Sequence, residues 1–225
     1  MNVSRLKILV LSDFHGAESS LEKASKRAIA EKVDAITLSG DLTHFGDVSD
    51  AQRMLRVLSR PRIPVVFVPG NCDPLELVTN RSIEGTYCLH GASKTLSNLS
   101  FLGIGGSLPG PFDTPLEVEE EAFAHLLDRA YEKMANKNRF ILISHTPPQN
   151  TKVDATHSGV HIGSAAIRDF IVRAKPLAVV CGHVHEARGT DKVNEALVVN
   201  PGPAKLGMCA LLEVSRGVKI ELSIL

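Results

Sequence analysis

Five short apolar runs, each broken off by a residue able to bind a metal or a proton, restrict this chain more than any other feature. Residues 8–11 run into Asp13 and His15, 35–38 into Asp41, 65–68 into Asn71 and Asp73, 139–143 into His145, and 177–180 into His183 and His185. Runs of this length bounded by polar turns read as buried strands. Between the first three, Leu21, Ala24, Ala28 and Ile29, and then Val48, Ala51, Leu55 and Leu58, recur at helical spacing, so the first third of the chain has a βαβαβ pattern. Ligands of open α/β sheets sit beyond the carboxyl ends of the strands, and the five polar loops can therefore converge. Residues two apart in an extended segment share a side, so Asp13 with His15, and His183 with His185, each offer two donors to one cleft.

The rest of the chain is more varied. Residues 86–90, 94–96 and 100–104 read as short strands, followed by a Gly- and Pro-rich loop at 105–115. Val118, Ala122, Phe123, Leu126, Leu127, Ala130 and Met134 predict the longest amphipathic helix. Pro147 and Pro148 forbid helix after His145, residues 150–163 form a polar loop with His157 and His161, and Ser164 is placed to cap a helix bearing Ile167, Phe170, Ile171 and Ala174. Residues 196–200, 207–214 and 218–224 read as antiparallel tail strands. No repeat or linker divides the chain, which predicts a single domain over 1–225.

Composition narrows the function. The 25 basic and 25 acidic side chains cancel, and aromatics make up only 4%, so neither the basic footprint nor the stacking platform of a nucleic-acid binder is indicated. No apolar run is long enough for a membrane span, and Cys72, Cys88, Cys181 and Cys209 form no CxxC pair, which points to a cytoplasmic protein without a thiolate zinc site. The seven remaining donors, Asp13, His15, Asp41, Asn71, His145, His183 and His185, are too many for one tetrahedral ion. Mixed nitrogen and oxygen donors suit Mn, Fe, Zn, Ni or Co rather than Mg or Ca. If one carboxylate bridges, they hold two divalent ions with positions left open for water and substrate, a catalytic arrangement.

In this order and after strands, Asp13-x-His15, Gly40-Asp41, Gly70-Asn71, Ser144-His145 and Gly182-His183-x-His185 resemble the five signature blocks of the calcineurin-like metallophosphoesterases. The resemblance spans residues 13–185 and looks closest to the small microbial and archaeal branch of predicted phosphoesterases. It implies an α/β fold, a four-layer α/β/β/α sandwich of two mixed sheets. It also implies Asp13, His15, Asp41 and His185 around a first metal and Asp41, Asn71, His145 and His183 around a second, with Asp41 bridging. The implied activity is hydrolysis of a phosphomonoester or phosphodiester, with Mn the leading metal.

One block departs from that family, where Asn is often followed by a histidine that protonates the leaving group; here Cys72 follows Asn71. His161 is the candidate substitute for that proton donor, because an imidazole titrates near neutrality. His44, His90 and His125 read as surface or helix residues, and residues 159–164 as a loop whose amides can face an anion. Two other functions fit the same residues: a non-catalytic interaction scaffold, which normally lacks some ligands, and a nuclease acting on nucleic-acid ends. The short middle strands also offer an edge for pairing with a second copy of the chain.

Overall fold

The computed structural model describes residues 5–79 and 83–225. The chain opens as β1 (Leu6–Leu11), α1 (Glu18–Ala30), β2 (Ala35–Ser39), α2 (Val48–Ser59) and β3 (Val65–Val68), the expected βαβαβ, with β1, β2 and β3 parallel. The middle holds β4 (Thr86–Cys88), β5 (Ala92–Leu96), β6 (Leu99–Ile104), α3 (Glu120–Glu132) and β7 (Phe140–Ser144). The remainder is α4 (Ala165–Ala174), β8 (Ala178–Val180), β9 (Gly189–Val193), β10 (Ala196–Asn200), β11 (Met208–Val214) and β12 (Val218–Ile224). Two six-stranded mixed sheets result, in the orders β12-β11-β1-β2-β3-β4 and β5-β6-β7-β8-β10-β9.

Three buried clusters show how these layers stack. Leu9, Leu11, Ile36, Leu38 and Phe67 on one face of the first sheet pack against Leu21, Ala24, Leu55 and Leu58 of α1 and α2. The alternate residues Ile8, Val10, Val66 and Val68 face Phe101, Ile141, Ile143 and Val180 of the second sheet. That sheet's other face, including Leu102, Leu142 and Val179, packs on Phe123, Leu127, Ile167 and Phe170 of α3 and α4. Strands whose two faces are both covered are apolar at nearly every position, which is why the runs show no alternation. The four-layer α/β/β/α sandwich is the architecture expected.

Three local expectations need correction. Ile29 is 59% exposed, because eight residues beyond Leu21 a helix has turned about 80° past it, off the buried stripe. The helix read over 118–134 is shorter: α3 has 13 residues, the same as α1, and Val118 is held outside it by donating its amide to the Ser107 carbonyl at 2.7 Å. The tail strands do not form one antiparallel group. β10 pairs parallel with β8 and antiparallel with the unforeseen edge strand β9, while β11 and β12 extend the first sheet beside β1. Leu197, Val198 and Val199 suit an interior strand, and the alternation of Gly189–Val193 suits an edge. Among the described residues no helix is long and apolar enough to cross a membrane.

Candidate metal centre

All seven predicted ligands lie just past the carboxyl ends of parallel strands, β1, β2 and β3 in one sheet and β7 and β8 in the other. The loops after β1 and β2 are laced together by three amides: Asp13 to the Gly40 carbonyl, His15 to that of Asp41, and Gly16 to that of Leu42, at 2.9–3.0 Å. Asp13, His15, Asp41 and His183 have φ of 57°, 44°, 51° and 69°, left-handed conformations that Asp, Asn and His adopt more readily than other side-chain-bearing residues. Such strain, of order 1–3 kcal/mol per residue, persists only where the surroundings over-determine it.

Glycines before the ligands make room for this. A Cβ on Gly70 would lie 2.0 Å from Asp41 Oδ1, and one on Gly182 would lie 1.8 Å from Ser12 Oγ and 2.6 Å from Asp13 Oδ2. The Gly-Asn and Gly-His pairs are thus requirements for close backbone approach.

The donor atoms converge in two overlapping groups. Around Asp13, His15 Nε2 and His185 Nε2 face each other at 3.0 Å, and His185 Nε2 is 3.4 Å from Asp13 Oδ1. Around Asn71, its Oδ1 lies 2.9 Å from His145 Nε2 and 3.1 Å from His183 Nδ1. Asp41 stands between them, its Oδ2 3.5 Å from His15 Nε2 and 3.6 Å from His145 Nε2. Asp13, His15 and His185, and likewise Asp13, Asp41 and His145, present ligand atoms close enough to hold one ion.

Electrostatics make the same point. Asp13, Asp41 and Asp73 are buried together, and among the described residues the ion-pair partners of Asp13 and Asp41 are histidines alone. Burial raises Asp41 to about 6, with Asp13 and Asp73 adding repulsion that His145 offsets. Burial works against ionised Asp13 as well, but His185 and His145 hold it down at about 2. Burial lowers His15 to about 4 and His183 to about 3, the latter also repelled by His145. His145 is pushed up: burial opposes its charge, and the Asp41 and Asp13 carboxylates overcome burial. Its Nδ1 donates to the Ser39 carbonyl at 2.7 Å, so the neutral ring would aim an Nε2 lone pair at two oxygens, Asn71 Oδ1 and Asp41 Oδ2. A cation at that point relieves the conflict, and the residues therefore fit divalent metals.

Asp73 turns out to be a positioning residue. Its carboxylate accepts from the Leu42, Thr43 and Gly70 amides and the Thr43 hydroxyl at 2.7–3.1 Å, which ties the Asp41 loop to the Asn71 loop. Cys72 donates its amide to Asp41 Oδ1 at 2.9 Å, and burial, with the nearby Asp41 charge, pushes its thiol up, so it stays protonated. His44 is exposed as expected, yet its Nδ1 is 3.3 Å from His15 Nδ1. Its position three residues after Asp41 in the same loop was the available signal. His90 Nδ1 accepts from the Gly105 amide, and His125 is exposed on α3. His161 is not among the converging atoms: its Nδ1 bonds at 2.7 Å to Asp154, whose buried carboxylate also accepts from Asn150, Thr151 and Gly163.

A four-layer α/β sandwich whose strand ends bring Asp, Asn and His side chains together, Asp13, Asp41 and His145 among them buried, is the framework of a metal-binding site. The chain belongs to the calcineurin-like phosphoesterase family, whose profile matches residues 6–187. It is 35% identical over 205 residues to an uncharacterized protein of Methanocaldococcus jannaschii, covering 89% of this chain and 90% of that protein. A solved structure from Thermus thermophilus superposes with a TM-score of 0.72 at 23% identity, over 97% of this chain and 99% of that one. A dimetal phosphatase from Danio rerio superposes with a TM-score of 0.64 at 14% identity, over 99% and 96% of the two chains.

Proposed function

We propose that this chain is a dinuclear-metal phosphoesterase that hydrolyses phosphomonoesters or phosphodiesters. The carrying observation is Asp41, whose Oδ2 is 3.5 Å from His15 Nε2 and 3.6 Å from His145 Nε2, within reach of both donor groups as suits a shared ligand. Asp13, His15, Asp41 and His185 would hold one ion, and Asp41, Asn71, His145 and His183 the other. When bound, two such cations supply Lewis-acid neutralisation of phosphoryl charge and acidify water. The mixed nitrogen and oxygen donors suit Mn, Fe, Ni, Zn or Co, and Mn is the metal we propose first.

The protein's own groups do the remaining work. The Ser39 carbonyl fixes the His145 tautomer, and Asp73 holds the Asp41 and Asn71 loops in register. Cys72 supplies no fixed charge, so His161, oriented by Asp154, is the proposed proton donor to the leaving group. The family match ends at residue 187, and β11, beyond it, completes the first sheet beside β1, which supports one domain over 1–225. Cys72, Cys181 and Cys209, buried as thiols, suit a reducing, cytoplasmic setting.

The test is hydrolysis of mono- and bis-nitrophenyl phosphate by metal-stripped protein after Mn, Ni, Zn, Co or Mg is restored. Turnover that returns with metal and is lost in Asp41→Asn is expected. Two bound ions with no turnover of either ester would favour the scaffold reading instead.

A further inference from the structure

Beside the metal centre lies a cavity of about 410 Å³ whose wall includes two of the candidate ligands, Asn71 and His183. Cavities of about 520 and 850 Å³ elsewhere touch none of the seven. The volume falls in the range that takes a small organic group.

The chemistry of this cavity is lopsided. Leu108, Phe112, Ile162 and Val184 make its walls largely apolar. Phe112 is 81% exposed and Ile162 37%, so two large apolar side chains stand uncovered at the edge of a polar site. The charged residues it contains are Glu117 and Glu186, and among the described residues no Lys or Arg lines it. Glu117 accepts from the Thr114 amide and hydroxyl at 2.9 and 2.8 Å, bonds that hold its carboxyl below the usual range and keep it ionised.

The wall is also built rather than loose. Ser107 and Val118 are joined by a 2.7 Å backbone bond, and the Leu116 amide donates to the Asn71 carbonyl at 3.2 Å. The apolar segment is therefore fastened to the backbone of a candidate ligand. A group attached to a phosphate at the centre has this cavity as its adjoining space, and that group meets hydrocarbon and negative charge with no cation to receive an anion.

We infer that the cavity takes the organic moiety of the ester, and that the substrates are phosphate esters of apolar alcohols carrying no negative charge of their own. Esters bearing a further phosphate or a carboxylate on that moiety are disfavoured. This inference rests on the phosphoesterase reading above and adds the substrate class.

The experiment is calorimetric titration of the Mn-loaded protein with inorganic phosphate, methylphosphonate, phenylphosphonate and 4-carboxyphenylphosphonate. Phenylphosphonate is expected to bind about tenfold more tightly than methylphosphonate, a gain that Phe112→Ala reduces. The carboxyphenyl compound is expected to bind roughly tenfold more weakly than the phenyl one, a gap that Glu186→Gln narrows. Phosphate binding with equal affinity for the three phosphonates, or a preference for the carboxylate, would overturn the cavity assignment and leave the phosphoesterase reading standing. Failure to bind phosphate and every phosphonate would overturn both.

Discussion

The Nε2 atoms of His15 and His185 face each other at 3.0 Å although 170 residues separate them in the chain. With Asp13 Oδ1 3.4 Å from His185 Nε2, the three side chains close on one point. His185→Gln should therefore lower the metal content from about two ions per chain to about one, since Asn71, His145 and His183 lie in the other group. Metal analysis after gel filtration checks this, and retention of both ions would count against the ligand assignment.

Asp41 belongs to both groups, so its loss should not be selective. Asp41→Asn is expected to lower turnover of nitrophenyl phosphate by at least about 10²–10³, the scale seen when a key electrostatic group is removed. Both ions should bind more weakly in the same variant. An enzyme that keeps one ion at full affinity would show that Asp41 is not shared.

The metal-free protein should lose stability on acidification. His15 and His183 have folded pKa values near 4 and 3, below the ordinary 6.5, so their contribution is present above pH 6.5 and lost as pH falls through that window. Asp41, raised from 3.8 to about 6, acts oppositely: its contribution is present below 3.8 and lost as pH rises through 6. On acidification His145, pushed up, gains only above pH 6.5 and Asp41 only below about 6. His15 and His183, which lose across the whole interval, set the sign, so urea midpoints of chelator-treated protein should fall between pH 7 and 5. The fall should steepen in Asp41→Asn; a midpoint that rises on acidification would reject this balance.

Gly182→Ala should be costly, because the added Cβ would lie 1.8 Å from Ser12 Oγ and 2.6 Å from Asp13 Oδ2. A loss of about 1–3 kcal/mol in unfolding free energy is expected, together with weaker metal binding. Gly217→Ala, where nothing lies within 4 Å, is the control and should change neither. Equal effects at the two positions would remove the packing explanation.

If His161 protonates the leaving group, His161→Ala should slow alkyl phosphate hydrolysis far more than nitrophenyl phosphate hydrolysis, because nitrophenolate departs without a proton. Asp154→Asn, which alters the partner held 2.7 Å from the ring, should give a weaker version of the same pattern. Parallel losses on both ester types would assign His161 a structural role.

Much of the site was legible because a strand covered on both faces is almost continuously apolar, and the ligand-type residue just past its end stands out. Asp13, Asp41, Asn71, His145 and His183 each follow such a run. The left-handed backbone at Asp13, His15, Asp41 and His183 was not legible, because it is imposed by loops packed from distant parts of the chain. His44 was legible as a surface residue but its approach to His15 was not, since a histidine in a polar loop looks the same whether it faces water or another imidazole. Strand β9 was hidden by an edge position that tolerates Asp and Lys, and the split of the tail strands depends on sheet pairing that local pattern does not encode.

The placement of β1 between β2 and β11 has a temporal side. Asp13 and His15 leave the ribosome early, but their strand gains its second neighbour only when Met208–Val214 arrives, after His185 has also emerged. The first group of donors, which joins His15 to His185 across 170 residues, therefore cannot close on a nascent chain until His185 has emerged.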